Sequence, residues 1–153
     1  MCNIPSKCTH NDWIFAFSPT YAGKELTEIH VRLMEKARKL EKGELKTGKW
    51  LIFVDRKNVD KVWEKIRLAT EKGALGIEAK VSSKIAAQLS SESGSHVICV
   101  YIYDWTDEED VRRVREELRK LGITNKIPYK ADVNTIQGRY RALGHTKISK
   151  YYE

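Results

Sequence analysis

His96-Val-Ile-Cys-Val-Tyr-Ile-Tyr103 is the stretch that decides the fold. It is nearly continuously apolar and rich in β-branched and aromatic residues, which is typical of a central strand. Thr106-Asp-Glu-Glu109 follows and resembles a capping box that begins a helix. The apolar spacing after it predicts a helix up to residue 121. Its predicted buried side comprises Val111, Val114, Leu118 and Leu121, and its mostly solvent-facing side comprises Arg112, Arg113, Arg115, Arg119 and Lys120.

Further strands and helices are predicted on both sides of this stretch. Short runs of β-forming residues predict strands at 13–17, 49–54 and 77–81, and a last or edge strand at 127–131. Apolar residues at helical spacing predict helices at 27–42 and 59–72, and a short helix fits 83–89.

The order of these elements would suit a parallel, doubly wound sheet. However, no Gly-rich phosphate loop follows any strand, and no convincing crossover helix joins the third and fourth strands. We therefore predict an α+β fold, in which a curved, mostly antiparallel sheet carries three helices on one face. The other face is expected to be concave and to carry a ligand.

The composition indicates one globular domain. Hydrophobic residues make up 41% and charged residues 32% of the chain, and we expect a domain at 13–153 after a poorly anchored segment at 1–12. No apolar run approaches the roughly 20 residues of a membrane helix, and no signal-peptide core is present, so we expect a cytoplasmic protein. The net charge of +7 favours an anionic partner, although a Lys/Glu-rich surface is also typical of hyperthermophiles.

The three cysteines do not predict a metal site. Cys99 lies in the apolar stretch and is expected to be a buried, reduced thiol. Cys2, Cys8 and His10 would offer zinc only three ligands, so we interpret them as loose terminal residues. We predict neither a metal nor a cofactor, and the sequence leaves the oligomeric state open.

The tract 127–141 carries cations and aromatic rings in alternation, a composition that suits a phosphate or nucleotide ligand. Tyr129 is a candidate to stack on a base, and Lys130 to hold a phosphate. On a strand, Arg139 and Arg141 would point to one face and could bind a phosphate together. The alternative is a structural role, with Asp132 in a salt bridge to one of these arginines.

Three more candidates lie on the predicted strands. Lys80 points away from the core and could hold a phosphate or act as a base, or it could simply pair with Glu78. His96 could donate or accept a proton near neutral pH, or it could be a water-exposed residue at a strand end. Trp50 could stack on a base, or it could pack in the core.

Four segments together resemble the family of the basophilic-leukaemia-expressed protein. They are Gly48-Lys-Trp-Leu-Ile-Phe-Val54, residues 69–82, His96-Val-Ile-Cys-Val-Tyr101 with Asp104-Trp-Thr-Asp107, and Tyr129-Lys-x-Asp-x-x-Thr-x-x-Gly-x-Tyr-Arg141. The resemblance implies a fold similar to the eukaryotic cap-binding translation initiation factor. It does not imply cap binding, because the two tryptophans and the acidic residue that hold methylguanine are not matched here.

Members of this family have also been labelled phosphothreonine lyases. That label implies a lysine base, a histidine acid and arginines on the phosphate, which Lys80 or Lys130, His96, Arg139 and Arg141 could supply by residue type. The leading hypothesis is a module that binds a nucleotide or RNA end in a basic cleft. The alternatives are an enzyme acting on a phosphorylated substrate, with Lys80 and His96 as catalytic residues, and a protein-interaction domain.

Overall fold

The computed structural model describes residues 3–19, 47–88, 95–132 and 150–153. Six strands form one sheet in the order β1-β3-β4-β2-β5-β6, and every neighbouring pair is antiparallel. The strands are β1 (Trp13–Phe17), β2 (Gly48–Asp55), β3 (Glu78–Ser82), β4 (Ser95–Ile102), β5 (Pro128–Ala131) and β6 (Tyr151–Tyr152). The helices are α1 (Val59–Glu71), α2 (Lys84–Gln88) and α3 (Glu108–Lys120).

The predicted central strand is confirmed. β4 lies between β3 and β2 and pairs with β2 along its whole length, from Ser95 opposite Asp55 to Ile102 opposite Gly48. The fold class is confirmed as well, since the sheet is curved and antiparallel and carries three helices. One predicted helix, at 27–42, lies outside the described residues, and the short α2 is the third helix. The strand predicted at the edge, β5, lies between β2 and β6.

The core lies between the sheet and the helices α1 and α3. Because side chains alternate along each strand, every second residue points to this side, which we call the helix face. Ile98, Val100 and Ile102 of β4 are buried there, and α1 adds a buried stripe through Val59, Trp63, Ile66 and Thr70. None of the described helices is long and apolar enough to cross a membrane.

Arg115 of α3 is fully buried, which corrects its predicted place on the solvent side. Its guanidinium donates hydrogen bonds to the main-chain oxygens of Glu153 at 2.8 Å, Ile123 at 2.9 Å and Asn125 at 2.7 Å. Burial lowers the pKa of this group. The side chain therefore ties α3 to the loop after it and to the segment that follows β6.

The expectation of a poorly anchored N-terminus is corrected for residues 3–12. The Ser6 hydroxyl donates to the Asp60 carboxylate at 2.5 Å, and the Ser83 amide donates to the Asp12 carbonyl at 2.9 Å. Cys8 is fully buried in the core and is disulfide-bonded, so it is not a loose terminal residue. These contacts attach the segment to α1 and to the end of β3.

Candidate functional site

A cluster of charged and aromatic side chains lies on the sheet face that points away from α1 and α3. We call it the lysine face, after Lys49 of β2, Lys80 of β3 and Lys130 of β5. The register puts them on one side, because residues directly opposite each other in an antiparallel pair share a face. Lys80 pairs with Cys99, Cys99 pairs with Leu51, and Leu51 lies two residues from Lys49 on the same side of β2.

One row of this face crosses five strands. It runs through Phe17, Glu78, Tyr101, Lys49 and Lys130, each opposite the next. Neighbouring strands lie about 4.8 Å apart, so the row is roughly 19 Å long. Acidic, aromatic and basic groups from five separate parts of the chain therefore lie side by side.

The Lys80 ammonium is held by aromatic rings. It lies 4.0 Å from the centroid of the Trp13 ring and 5.7 Å from that of Tyr101. Such cation–π contacts contribute about 0.5–2 kcal/mol each, depending on how dry the site is. Within the described part of the chain no carboxylate pairs with Lys80 within 4 Å, so the alternative of an ion pair with Glu78 is not what the structure shows.

Lys49 and Lys130 lie directly opposite each other, an arrangement of like charges that is unfavourable by itself. Asp132, one residue past β5, offsets it by accepting a hydrogen bond from the Lys49 ammonium at 2.7 Å. Lys130 is buried, with 7% of its surface exposed. Burial and, to a smaller extent, the neighbouring Lys49 lower the pKa of the Lys130 ammonium.

Burial also shifts Glu78, Cys99 and Tyr101 of this face towards their neutral forms. It raises the pKa of Glu78, and nearby Lys80 opposes that shift. It raises the pKa of the Cys99 thiol to about 11, and it raises the pKa of the Tyr101 hydroxyl. The thiol and the phenol are therefore protonated at neutral pH.

This arrangement can bind an anion. Lys49 and Lys130 lie on neighbouring strands, and Lys80 lies on the same face two strands away from Lys49. Ammonium groups can donate hydrogen bonds to phosphate oxygens, and a partly desolvated site strengthens each of these interactions. A metal site is not formed by the residues at 3–19, 47–88, 95–132 and 150–153, since no three His, Cys, Asp or Glu side chains come together there.

A family model matches most of the chain. The model of the basophilic leukemia-expressed protein Bles03 covers residues 9–137. The chain belongs to the Bles03 family. This confirms the family resemblance drawn from the four sequence segments.

Solved structures with a similar fold are eIF4E proteins. A schistosome eIF4E complexed with m7GpppG and 4E-BP matches with a TM-score of 0.50 and 18% identity, over 71% of this chain and 59% of that one. A C. elegans eIF4E-3 in complex with the 4E-binding protein Mextli matches with a TM-score of 0.47 and 19% identity, over 61% and 56%. The chain thus spans a little over half the length of each. At these identities the likeness concerns the fold alone, and it agrees with the predicted similarity to the cap-binding factor.

Three of the predicted site residues lie on the helix face. Trp50 is fully buried, and its indole nitrogen donates to the Val111 carbonyl of α3 at 3.1 Å. Tyr129 is fully buried beside it, with ring centroids 5.2 Å apart and the rings edge to face. Neither ring is available to stack on a base, so the alternative of core packing holds for Trp50, and the predicted stacking role of Tyr129 is corrected.

His96 also lies on the helix face and is 1% exposed. Its ring nitrogen Nδ1 is 2.8 Å from the Ser82 carbonyl oxygen. Lys80 is on the neighbouring strand β3, but it points to the opposite side of the sheet. The prediction that Lys80 and His96 face one cleft as base and acid is therefore wrong.

Of the predicted site residues, Lys80 and Lys130 lie on the lysine face, on strands that are separated by β4 and β2. Arg139 and Arg141 lie outside the described residues. Sequence reasoning missed Lys49 and Tyr101. Their pairing partners, Lys130 and Glu78, were both noted in the sequence, so a correct strand register would have found them.

Proposed function

We propose that this protein binds a phosphate-bearing ligand, a nucleotide or an RNA end, on the lysine face. The observation that carries the proposal is the position of Lys80. Its ammonium is fixed over the Trp13 ring at 4.0 Å and does not pair with a carboxylate of the described chain. The aromatic rings thus hold the Lys80 ammonium in position. An anion can approach this ammonium, which offers it a positive charge and hydrogen-bond donors.

Lys49 and Lys130 support the same conclusion. Lys49 and Lys130 are directly opposed on a largely buried face, so an anion bound between them would interact with both ammonium groups. The Asp132 carboxylate pairs with the Lys49 ammonium. Among the described residues of this face, three are lysines, Lys49, Lys80 and Lys130, and two are acidic, Glu78 and Asp132.

A separate observation supports a nucleotide as the ligand. The schistosome eIF4E that shares the fold was solved in complex with m7GpppG, a capped dinucleotide. Phosphate is the part of such a ligand that lysines bind, and Trp13 and Tyr101 lie beside Lys80 where a base could contact them. The proposal does not include the eIF4E mode of cap recognition.

Isothermal titration calorimetry with inorganic phosphate, GTP and m7GpppG tests this. Truncating a lysine that donates to a phosphate removes about 1.5–3 kcal/mol, so Lys80→Ala should weaken nucleotide binding roughly 10- to 150-fold. Lys80→Arg keeps the charge and should retain most of the affinity. Lys61→Ala, which removes an exposed lysine from α1, is the matched control. Equal affinity in Lys80→Ala and Lys61→Ala would refute the proposal.

A cytoplasmic location belongs to the same proposal, since nucleotides and RNA ends are abundant there. The disulfide at Cys8 points the other way, because structural disulfides are rare in the cytosol. Cell fractionation of the native protein, with its thiols trapped by alkylation during lysis, decides the matter. Recovery only in secretory compartments would refute this part.

A further inference from the structure

Exposed aromatic rings flank the lysines on the same face of the sheet. Phe15 is 50% exposed, Phe17 38% and Phe53 60%. Phe15 lies directly opposite Lys80, and Phe17 lies directly opposite Glu78. Phe53 lies at the far end of β2, four residues from Lys49 on the same side of that strand. Large rings are thus exposed on two sides of the cationic centre.

The two phenylalanine rings of β1 lie parallel to each other. Their ring planes are within 6° of parallel, and their centroids are 6.1 Å apart. The two rings are stacked parallel to each other and are exposed on the lysine face, where planar groups of a ligand could contact rings that lie 6.1 Å apart. This spacing follows from the strand itself, which advances about 6.8 Å every two residues.

We propose that the lysine face binds single-stranded nucleic acid, with successive bases stacked on Phe15 and Phe17 and the backbone phosphates on Lys80, Lys49 and Lys130. This inference rests on the proposed function and extends it from a nucleotide or an RNA end to a strand of several nucleotides. Every base has a flat face, so stacking on such rings tolerates any sequence.

Charge complementarity argues for this occupant. Lys80 lies directly opposite Phe15, and its ammonium is 5.7 Å from the centroid of the Tyr101 ring, so a cation and aromatic rings lie side by side, as the phosphates and bases of a strand do. The row from Phe17 to Lys130 is roughly 19 Å long, which is wider than a mononucleotide and suits several linked nucleotides. The whole chain has a net charge of +7, which adds long-range attraction to a polyanion.

Fluorescence anisotropy with labelled oligouridylates, from a mononucleotide to roughly eight nucleotides, tests the inference. Affinity should rise with length until the face is filled. Phe15→Ala and Phe17→Ala should each weaken oligonucleotide binding about 5- to 150-fold, the range measured for losing one stacked base. Phe15→Trp should retain binding, whereas Phe15→Leu, which keeps apolar surface and loses the ring, should not.

Leu68→Ala is the matched control, because it truncates an exposed apolar side chain of α1 away from this face. Lys80→Ala should also reduce the slope of log affinity against log salt by about 0.7, the value for one phosphate contact with a single strand. Sedimentation velocity of wild type and Phe15→Ala/Phe17→Ala adds a second readout. A wild-type dimer that the double variant dissociates would overturn the inference, since the rings would then bind a second copy.

The failure of this inference is distinguishable from the failure of the proposed function. One outcome would refute strand binding and leave phosphate binding in place. In it, GTP and the longest oligonucleotide bind with equal affinity, Lys80→Ala weakens the binding of both, and the phenylalanine variants change the binding of neither. If no phosphate-bearing probe binds at low salt, both are refuted.

Discussion

Replacing Arg115 tests how far one buried cation holds this fold together. Its guanidinium donates to three main-chain oxygens at 2.7–2.9 Å. In Arg115→Met those three acceptors lose their donor at about 1–3 kcal/mol each, while the desolvation cost of the charge disappears. The net loss should be about 3–5 kcal/mol of unfolding free energy. At about 2–4 °C per kcal/mol for a chain of this size, Tm should fall by roughly 6–20 °C.

Thermal unfolding followed by circular dichroism measures this, with urea unfolding as a second estimate. Arg112→Ala, an exposed arginine on the same helix, is the control and should change stability by no more than about 0.5 kcal/mol. Arg115→Lys keeps the positive charge but cannot make all three hydrogen bonds, so it should lie between wild type and Arg115→Met. Equal Tm values for Arg115→Met and Arg112→Ala would refute the reasoning.

Three further predictions concern the sheet. Gly48→Ala should cost roughly 1–3 kcal/mol or more of unfolding free energy in urea, because its Cβ would lie 2.4 Å from the Tyr129 hydroxyl oxygen. Tyr129→Phe should be close to neutral, since that buried hydroxyl has no hydrogen-bond partner among the described residues. Gly76→Ala should destabilise more than Gly122→Ala, since its Cβ would lie 1.9 Å from the Tyr101 carbonyl oxygen; comparing their Tm values checks this. Burial raises the pKa of Glu78, so its stabilising effect is present below its unfolded pKa of about 4.3 and is lost as pH rises through its folded pKa. Glu78→Gln should therefore raise Tm, relative to wild type, more at pH 7.5 than at pH 4.

The sequence predicted the strands well because most of them are dense in β-forming residues. It also predicted the face of Lys80, since Glu78 and Lys80 alternate cleanly with Ala79 and Val81. The sequence of β4 did not predict on which face of the sheet His96 lies. The strand is apolar on both faces, so its alternation does not tell which side is covered by helices, and the histidine had no predictable direction.

Arg115 shows a different limit. With Val111, Val114 and Leu118 it occupies positions i, i+3, i+4 and i+7, so the helical period places it on the buried stripe. The charge of Arg115 predicted a solvent-exposed position, because arginine is rarely buried. The three main-chain oxygens that make burial tolerable come from the segments after α3 and β6, and no local pattern reveals that they meet.

The composition of the candidate site follows from the two faces of one sheet. Packing of α1 and α3 takes Trp50, Tyr129 and His96 into the core, so a ligand on the sheet can contact only side chains of the opposite alternation. Of the candidates in the described strands, Lys80 and Lys130 meet that condition. Pairing of β5 with β2 then adds Lys49, which no motif had marked. Because these three cations come from three strands, their spacing is fixed by the hydrogen bonds of the sheet. A ligand that binds all three therefore has to carry negative charge at more than one point across the sheet, which favours a chain of phosphates over a single anionic group.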